Sequence, residues 1–170
     1  MGLRDRHRGD DTPVRRYQMR EKLLSIGDDY WIEDESGQRA FKVNGKALRI
    51  RDTFVLEDVA GREVAKIQER KLHVRDTMKI EWNGREATVH KALVGLRDRF
   101  KIEVEDGPDL SAHGNLVDHE YEIERDGDTV ATVSKKWFRI RESYGVEVAH
   151  DQDDALILAI TVSIDAMTRG

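Results

Sequence analysis

The sequence predicts a mainly β protein, a twelve-stranded closed antiparallel β-barrel with a buried hydrophobic C-terminal α-helix through its centre. Two observations predict this fold: one octamer pattern occurs six times, and a long apolar segment follows the last copy. The octamers and the strands that pair with them supply twelve strands. The apolar segment has the right size to fill the wall that those strands form.

The octamer has an aliphatic residue, three polar residues, an aromatic residue or Met, any residue, an aliphatic residue and Glu. Successive copies start 24, 24, 22, 21 and 23 residues apart. The copies are IGDDYWIE from Ile26, IRDTFVLE from Ile50, VRDTMKIE from Val74, LRDRFKIE from Leu96, VDHEYEIE from Val117 and IRESYGVE from Ile140. The polar triplet is typical of a turn, and the alternation after it is typical of a strand with one buried face.

This alternation predicts which side chains face the inside of the barrel. The inward set is Tyr30, Phe54, Met78, Phe100, Tyr121 and Tyr144, joined by Ile32, Leu56, Ile80, Ile102, Ile123 and Val146. The closing glutamates should face water. Trp31 and Trp82 are interpreted as out of phase with the inward set, so either could cover the outer wall. Simple packing is favoured over insertion at a membrane interface or stacking on a ligand.

Gly-bearing turns, such as Asn83-Gly84 and Asp126-Gly127, follow the octamers and predict hairpins with return strands. A strand from Gln18 to Ser25 is expected before the first octamer, which completes six hairpins. The basic residues 1–16 are expected to form a disordered arm. Residues 17–170 are then a single barrel domain.

The apolar segment runs from Ala155 to Ile164 and leaves no face for water, so it predicts a helix enclosed by protein, at about residues 151–167. Its β-branched residues would also suit a buried strand, but strands average about five or six residues. A membrane span needs about 20 apolar residues, which excludes this segment. Twelve tilted strands leave a lumen of about 12 to 14 Å, and a helix is about 10 to 12 Å thick.

Composition limits the classes of function. A net charge of −5 with 37% charged residues gives no reason to expect nucleic acid as a partner. The chain has no cysteine, which excludes disulfides and thiolate chemistry. The first sixteen residues have no apolar centre and so no signal-peptide pattern, and a cytoplasmic location is expected, free or peripheral to a membrane.

Two basic stretches are the candidate binding residues. Their cations are Arg70, Lys71 and Arg75 in the first stretch, and Lys135, Lys136, Arg139 and Arg141 in the second. Each stretch places several cations at one strand end, where arginine could bind phosphate oxygens bidentately. The alternative is that neighbouring acids such as Asp76 and Glu142 neutralise these cations as ordinary surface pairs.

Other chemistry finds little support in the sequence. The histidines, among them His113, His119 and His150, match no metal-ligand spacing, so no metal or cofactor is predicted. A Gly-x-Ser-x-Gly elbow and a phosphate loop are both missing, and no catalytic residue is predicted. Asp165 is expected at the barrel rim beside Arg169, with a buried proton-binding role as the alternative.

The chain resembles the LURP-one-related proteins of the tubby-like superfamily, which also includes the phospholipid scramblases. The matching segments are Gly27-Asp-Asp-Tyr-Trp-Ile-Glu-Asp34, Lys46-Ala-Leu-Arg-Ile-Arg-Asp-Thr53, Val74-Arg-Asp-Thr-Met78, Lys136-Trp-Phe-Arg-Ile-Arg141 with Tyr144-Gly145, and Asp153-Asp154-Ala155. The resemblance covers roughly residues 17–167 and implies the same barrel around a helix. It implies little about activity, although tubby relatives bind phosphoinositide headgroups and scramblases act at membranes.

We therefore expect a cytoplasmic binding or scaffold protein, more plausibly non-enzymatic, that recognises anionic ligands such as phospholipid headgroups or phosphate by a basic rim. One alternative is a protein-protein interaction module without a small ligand. A second is a hydrolase whose carboxylates the sequence does not identify. Fold alone does not decide among these three functions.

Overall fold

The computed structural model describes residues 14–20, 29–44, 53–72, 75–94, 97–138 and 142–168. Within these ranges, only the backbone is described for residues 71, 72, 75, 76, 93, 94, 97 and 98. Most of the described residues belong to a ring of strands and one helix that fills it.

Twelve antiparallel strands close into one barrel, each pairing with its neighbours in the sequence and β1 pairing with β12. The strands are β1 (Arg15–Arg20), β2 (Tyr30–Asp34), β3 (Arg39–Asn44), β4 (Thr53–Asp58), β5 (Glu63–Leu72), β6 (Arg75–Trp82), β7 (Arg85–Val94), β8 (Arg97–Val104), β9 (Leu110–Asn115), β10 (Glu120–Arg125), β11 (Asp128–Ser134) and β12 (Ser143–Val148). The predicted fold class is confirmed.

The helix α1 (Asp154–Thr168) passes through the barrel and begins three residues later than predicted. Every residue from Leu156 to Asp165 is buried. Asp153 caps the helix, because its Oδ1 accepts from the Leu156 amide at 3.2 Å. The two hydroxyls in the buried stretch are satisfied within the helix: Thr161 donates to the carbonyl of Ile157 and Ser163 to that of Ala159.

The barrel has two ends that differ in their connections. At the hairpin end, tight turns follow the even-numbered strands, and α1 begins there after β12. At the loop end, the segments 21–29, 45–52, 73–74, 95–96, 116–119 and 135–142 follow the odd-numbered strands. Contacts of α1 fix its direction: Asn83 at the hairpin end bonds Asp153, and His119 at the loop end bonds Asp165.

The predicted inward set forms the core around α1. Eleven of its twelve members are at most 4% exposed, and Tyr30 packs against them as a partly buried side chain. Trp82 is also in the core, at 4% exposure, so the interpretation that it lies out of phase with the inward set is wrong. It lies two residues after inward-facing Ile80 and shares its face. Trp31 does lie on the outer wall, half-buried beneath the guanidinium of Arg39.

Two hairpins use the turn residues that the sequence indicates. Asn83 and Gly84 join β6 to β7 with φ of 49° and 69°, and Asp126 and Gly127 join β10 to β11 with φ of 50° and 85°. Both central residues of a type I′ turn need positive φ, which Asn, Asp and Gly tolerate. These turns fix the register of strands that carry one buried face.

The barrel begins earlier than the sequence indicated. Arg15 and Arg16, expected in the disordered arm, belong to β1, which is described as far as Arg20, and the rest of the predicted strand, residues 21–25, lies outside the described residues. The Arg15 side chain bonds Asp154 at 2.8 Å and reaches three carbonyls before the helix, and the Tyr17 hydroxyl also donates to Asp154. These partners lie 137 and 139 residues along the chain from Tyr17 and Arg15, so local pattern could not reveal them.

The enclosed helix should dominate stability. Leu158 is 0% exposed, so Leu158→Ala should lower the free energy of unfolding by about 2 to 5 kcal/mol through lost burial and a residual cavity. The control is Val59→Ala, at a side chain that is 63% exposed, which should change it by less than about 0.5 kcal/mol. Urea denaturation followed by circular dichroism measures both. Equal effects would contradict the placement of α1 inside the barrel.

Candidate functional site

The two ends of the barrel differ in charge. The connecting segments at the hairpin end carry seven carboxylates and one arginine. By sequence, the segments that follow the odd-numbered strands carry eight lysines and arginines and six carboxylates, most of them outside the described residues. The described connecting segments of the hairpin end are therefore strongly negative, and the sequence of the other segments has a small excess of cations.

The first basic stretch lies on the β5–β6 hairpin at the loop end. In its register Arg70 pairs with Thr77, Lys71 with Asp76 and Leu72 with Arg75. The Arg70 side chain is exposed. Lys71 and Arg75 are placed by their backbones, next to each other across the last pairs of the two strands.

Arg70 lies on a surface where one acid, Glu81, is already paired with a lysine. Glu81 is paired with the Lys79 ammonium at 2.9 Å, and this hydrogen bond lowers the pKa of Glu81, with smaller contributions from the charges of Lys66 and Arg70. No ion pair joins Arg70 to another residue in the described part of the chain.

The second basic stretch leaves β11 and turns back over the outside of the barrel. Lys135 and Lys136 are exposed, while Trp137 and Phe138 pack on the outer face of β12 at Gly145. A Cβ at Gly145 would lie 2.7 Å from the Trp137 ring and 2.9 Å from the Phe138 ring, so only glycine fits beneath them. Arg139 and Arg141 lie outside the described residues.

The structure places both stretches at the loop end but does not bring them together. β5 and β11 are six strands apart in a ring of twelve, so Arg70 and Lys136 stand on opposite walls. A twelve-stranded barrel has a backbone diameter of about 24 Å. One phosphate group cannot contact both stretches, so the described cations of the two stretches do not form a single pocket.

A buried polar cluster lies beneath the loop end, and the sequence prediction missed it. Asp165 is 2% exposed, with its Oδ1 2.6 Å from Nε2 of His119 and its Oδ2 accepting from the Tyr144 hydroxyl at 2.7 Å. The His119 ring stacks on Tyr144 with 4.1 Å between centroids. The expected position of Asp165 at the rim is therefore wrong, because the helix carries this carboxylate inside the wall.

The cluster keeps its tyrosines neutral. Burial raises the pKa of Tyr144 well above 10.0, and the nearby Asp165 carboxylate raises it further. The pKa of Tyr121 is raised for the same two reasons, in the same order. The cluster is enclosed by packed side chains, which makes it a polar anchor for the helix end rather than a site that a substrate reaches.

The sequence holds two signals of this cluster, and the first is Asp165, an acid in an otherwise apolar helix. Its partner His119 occupies the third position of the fifth octamer, where four other copies have Asp and one has Glu. His119 adopts a φ of 55° in the turn between β9 and β10, and this conformation aims its ring at the helix. An exception within a repeat was the clue to a long-range contact.

Ionisation of the buried tyrosines should destabilise the fold at high pH. Above pH 10 the tyrosines of the unfolded chain lose their protons while those of the folded protein keep them, so the free energy of unfolding should fall as pH rises. Each tyrosine contributes at most about 1.4 kcal/mol per pH unit. Urea midpoints measured from pH 8 to pH 11 test this.

The variant Tyr144→Phe separates two effects of the hydroxyl on stability, its hydrogen bond to Asp165 and its ionisation at high pH. At neutral pH it should cost about 2 kcal/mol, because the Asp165 carboxylate loses a donor. Above pH 10 it should make the loss of stability shallower, because one ionising group is gone. A variant with an unchanged alkaline slope would show that Tyr144 titrates alike in the folded and unfolded states.

Comparisons with known proteins place the chain in a family. No curated protein matches it. The solved X-ray structure of protein AT5G01750 from Arabidopsis thaliana is 18% identical, covers 94% of each chain and superposes with a TM-score of 0.60, which shows a shared fold. Among the described residues, no helix has the length and apolar character to cross a membrane. The family model for LURP-one-related proteins matches residues 15–165, and the chain belongs to the LURP-one-related family.

Proposed function

We propose that this protein is a non-enzymatic cytoplasmic binding protein that docks on an anionic phospholipid surface through the loop end of its barrel. The observation that carries the proposal is the charge asymmetry between the two ends. Seven carboxylates and one arginine at the hairpin end would be repelled by anionic headgroups, while the loop end would be attracted. The charge distribution therefore selects one orientation.

The spacing of the cations favours a surface over a small ligand. Arg70 and Lys136 are exposed on opposite walls, about 24 Å apart by the barrel diameter, and each can contact a different headgroup. Such separated contacts add their energies on a membrane, at about 1 kcal/mol for each lysine or arginine. A free phosphate would meet only one of them.

An apolar side chain accompanies the cations. Val117, in the turn between β9 and β10 at the loop end, is 65% exposed. An exposed aliphatic group at the same end of the barrel as the cations can enter the headgroup region when the cations bring the protein to the surface. The exposed valine and the cations together support peripheral contact.

Charge reversal at the loop end tests the proposal. Arg70→Glu/Lys136→Glu should weaken sedimentation with phosphatidylcholine vesicles that contain phosphatidylserine by roughly thirtyfold or more at low salt, since two attractive charges are lost. The control, Arg62→Glu/Arg125→Glu, makes the same change of net charge at the hairpin end and should bind as the wild type does.

Two outcomes would contradict surface binding. Equal partitioning of the wild type and the loop-end variant would remove the role of these cations. Equal weakening in both variants would show that net charge alone, and not the loop end, governs attraction. Vesicles of pure phosphatidylcholine give the baseline, because the proposal requires anionic headgroups.

A further inference from the structure

Three metal-ligating side chains meet on the outer wall of the barrel, away from the rim. His113 on β9 pairs directly with Glu122 on β10, and Glu124 follows two residues later on the same face. His113 Nε2 lies 2.8 Å from Oε1 of Glu124. Sequence spacing matched no metal motif, because the set forms only through the register of two strands.

The donor atoms are close enough to share one ion. One ligand atom from each of His113, Glu122 and Glu124 lies within 4.8 Å of the other two. Ligands about 2.1 Å from a common ion are about 3 to 4 Å apart, so small rotations of the glutamate side chains complete the geometry. All three residues stand on hydrogen-bonded strands, which holds their backbones in place.

The two carboxylates of the cluster outnumber the one arginine beside it, Arg99, which lies across from His113 in the register of β8 and β9. In the described part of the chain neither Glu122 nor Glu124 forms an ion pair with a lysine or arginine, and Glu122 has only a weak contact to the Thr129 hydroxyl at 3.5 Å. Other outer glutamates differ: Glu147 is bonded by Arg16, and Glu81 and Glu86 share Lys79. Two carboxylates that repel each other are stabilised when a cation binds between them.

A groove opens beside the cluster and provides room for further ligands of an ion. Its volume is about 330 Å³, and its wall includes His113, Glu122, Glu120 and Thr132. Gly114 shapes it, because a Cβ there would come within 2.8 Å of the Glu120 carbonyl. An ion held by three protein donors keeps open positions for water or an anion, and this groove would contain them.

We propose that His113, Glu122 and Glu124 form a binding site for a divalent transition-metal ion. One imidazole and two carboxylates suit Zn²⁺ and Mn²⁺, whereas an all-oxygen set would favour Mg²⁺ or Ca²⁺. The site is independent of surface binding at the loop end. Either proposal can fail without the other.

Titration calorimetry with Zn²⁺ and with Mn²⁺, on full-length protein freed of metal by a chelator, tests the site. One equivalent should bind, Zn²⁺ more tightly than Mn²⁺. Co²⁺ serves as a spectroscopic probe, because its visible absorption changes when nitrogen and oxygen donors of the protein replace water. The Co²⁺ band should disappear when Zn²⁺ is added.

Isosteric variants assign the ligands. Glu122→Gln/Glu124→Gln and His113→Gln should each weaken Zn²⁺ binding by at least about tenfold. Loss of a hydrogen bond that only orients a metal ligand already costs about this much affinity, and loss of the ligand itself should cost more. The glutamine pair removes a repulsion, so its urea midpoint without metal should not fall below that of the wild type. This keeps the test separate from folding.

The matched control is a second histidine-glutamate pair on the same wall. His90 Nε2 lies 3.9 Å from Glu103, whose neighbour is Lys101 rather than another glutamate. His90→Gln/Glu103→Gln should leave Zn²⁺ affinity unchanged. Absence of binding to the wild type, or equal binding to wild type and the Glu122/Glu124 variant, would overturn the proposal.

Discussion

The helix α1 has no face that is exposed to water, and the closed ring of strands follows from this constraint. Ten consecutive residues of the helix are buried, which requires contact on every side. A single sheet covers only one side of a helix, whereas a closed ring covers all of it. Twelve strands give a lumen of about the helix diameter, and the repeated octamer supplies aromatic and aliphatic side chains of the size that fills the gap.

Acidic side chains anchor the helix at both ends of the barrel. Asp153 and Asp154 bind groups from the strands and turns at the hairpin end, and Asp165 binds His119 and Tyr144 at the loop end. Apolar packing alone would tolerate rotation and sliding of the helix, since the hydrophobic effect is non-directional. Directional hydrogen bonds at two points fix the depth and the rotation of the helix within the ring.

Local periodicity made most of this architecture predictable. The octamer gives strand position and inward phase, as Phe54 and Ile80 show, and uniform apolarity identified the helix. The site residues were harder, because their neighbours depend on register and topology. Arg70 and Lys136 look equivalent in the sequence but stand on opposite walls. Similarly, the contact between Asp165 and His119 spans 46 residues, beyond the range of any local pattern.

The seam between β1 and β12 has a consequence for synthesis. Arg15 pairs with Val148, so β1 leaves the ribosome long before its partner exists and waits as an open sheet edge. Such an edge invites pairing with another nascent chain. β1 carries three cations among its six residues, Arg15, Arg16 and Arg20. On neighbouring nascent chains these charges repel one another, which discourages two β1 strands from pairing on crowded polysomes.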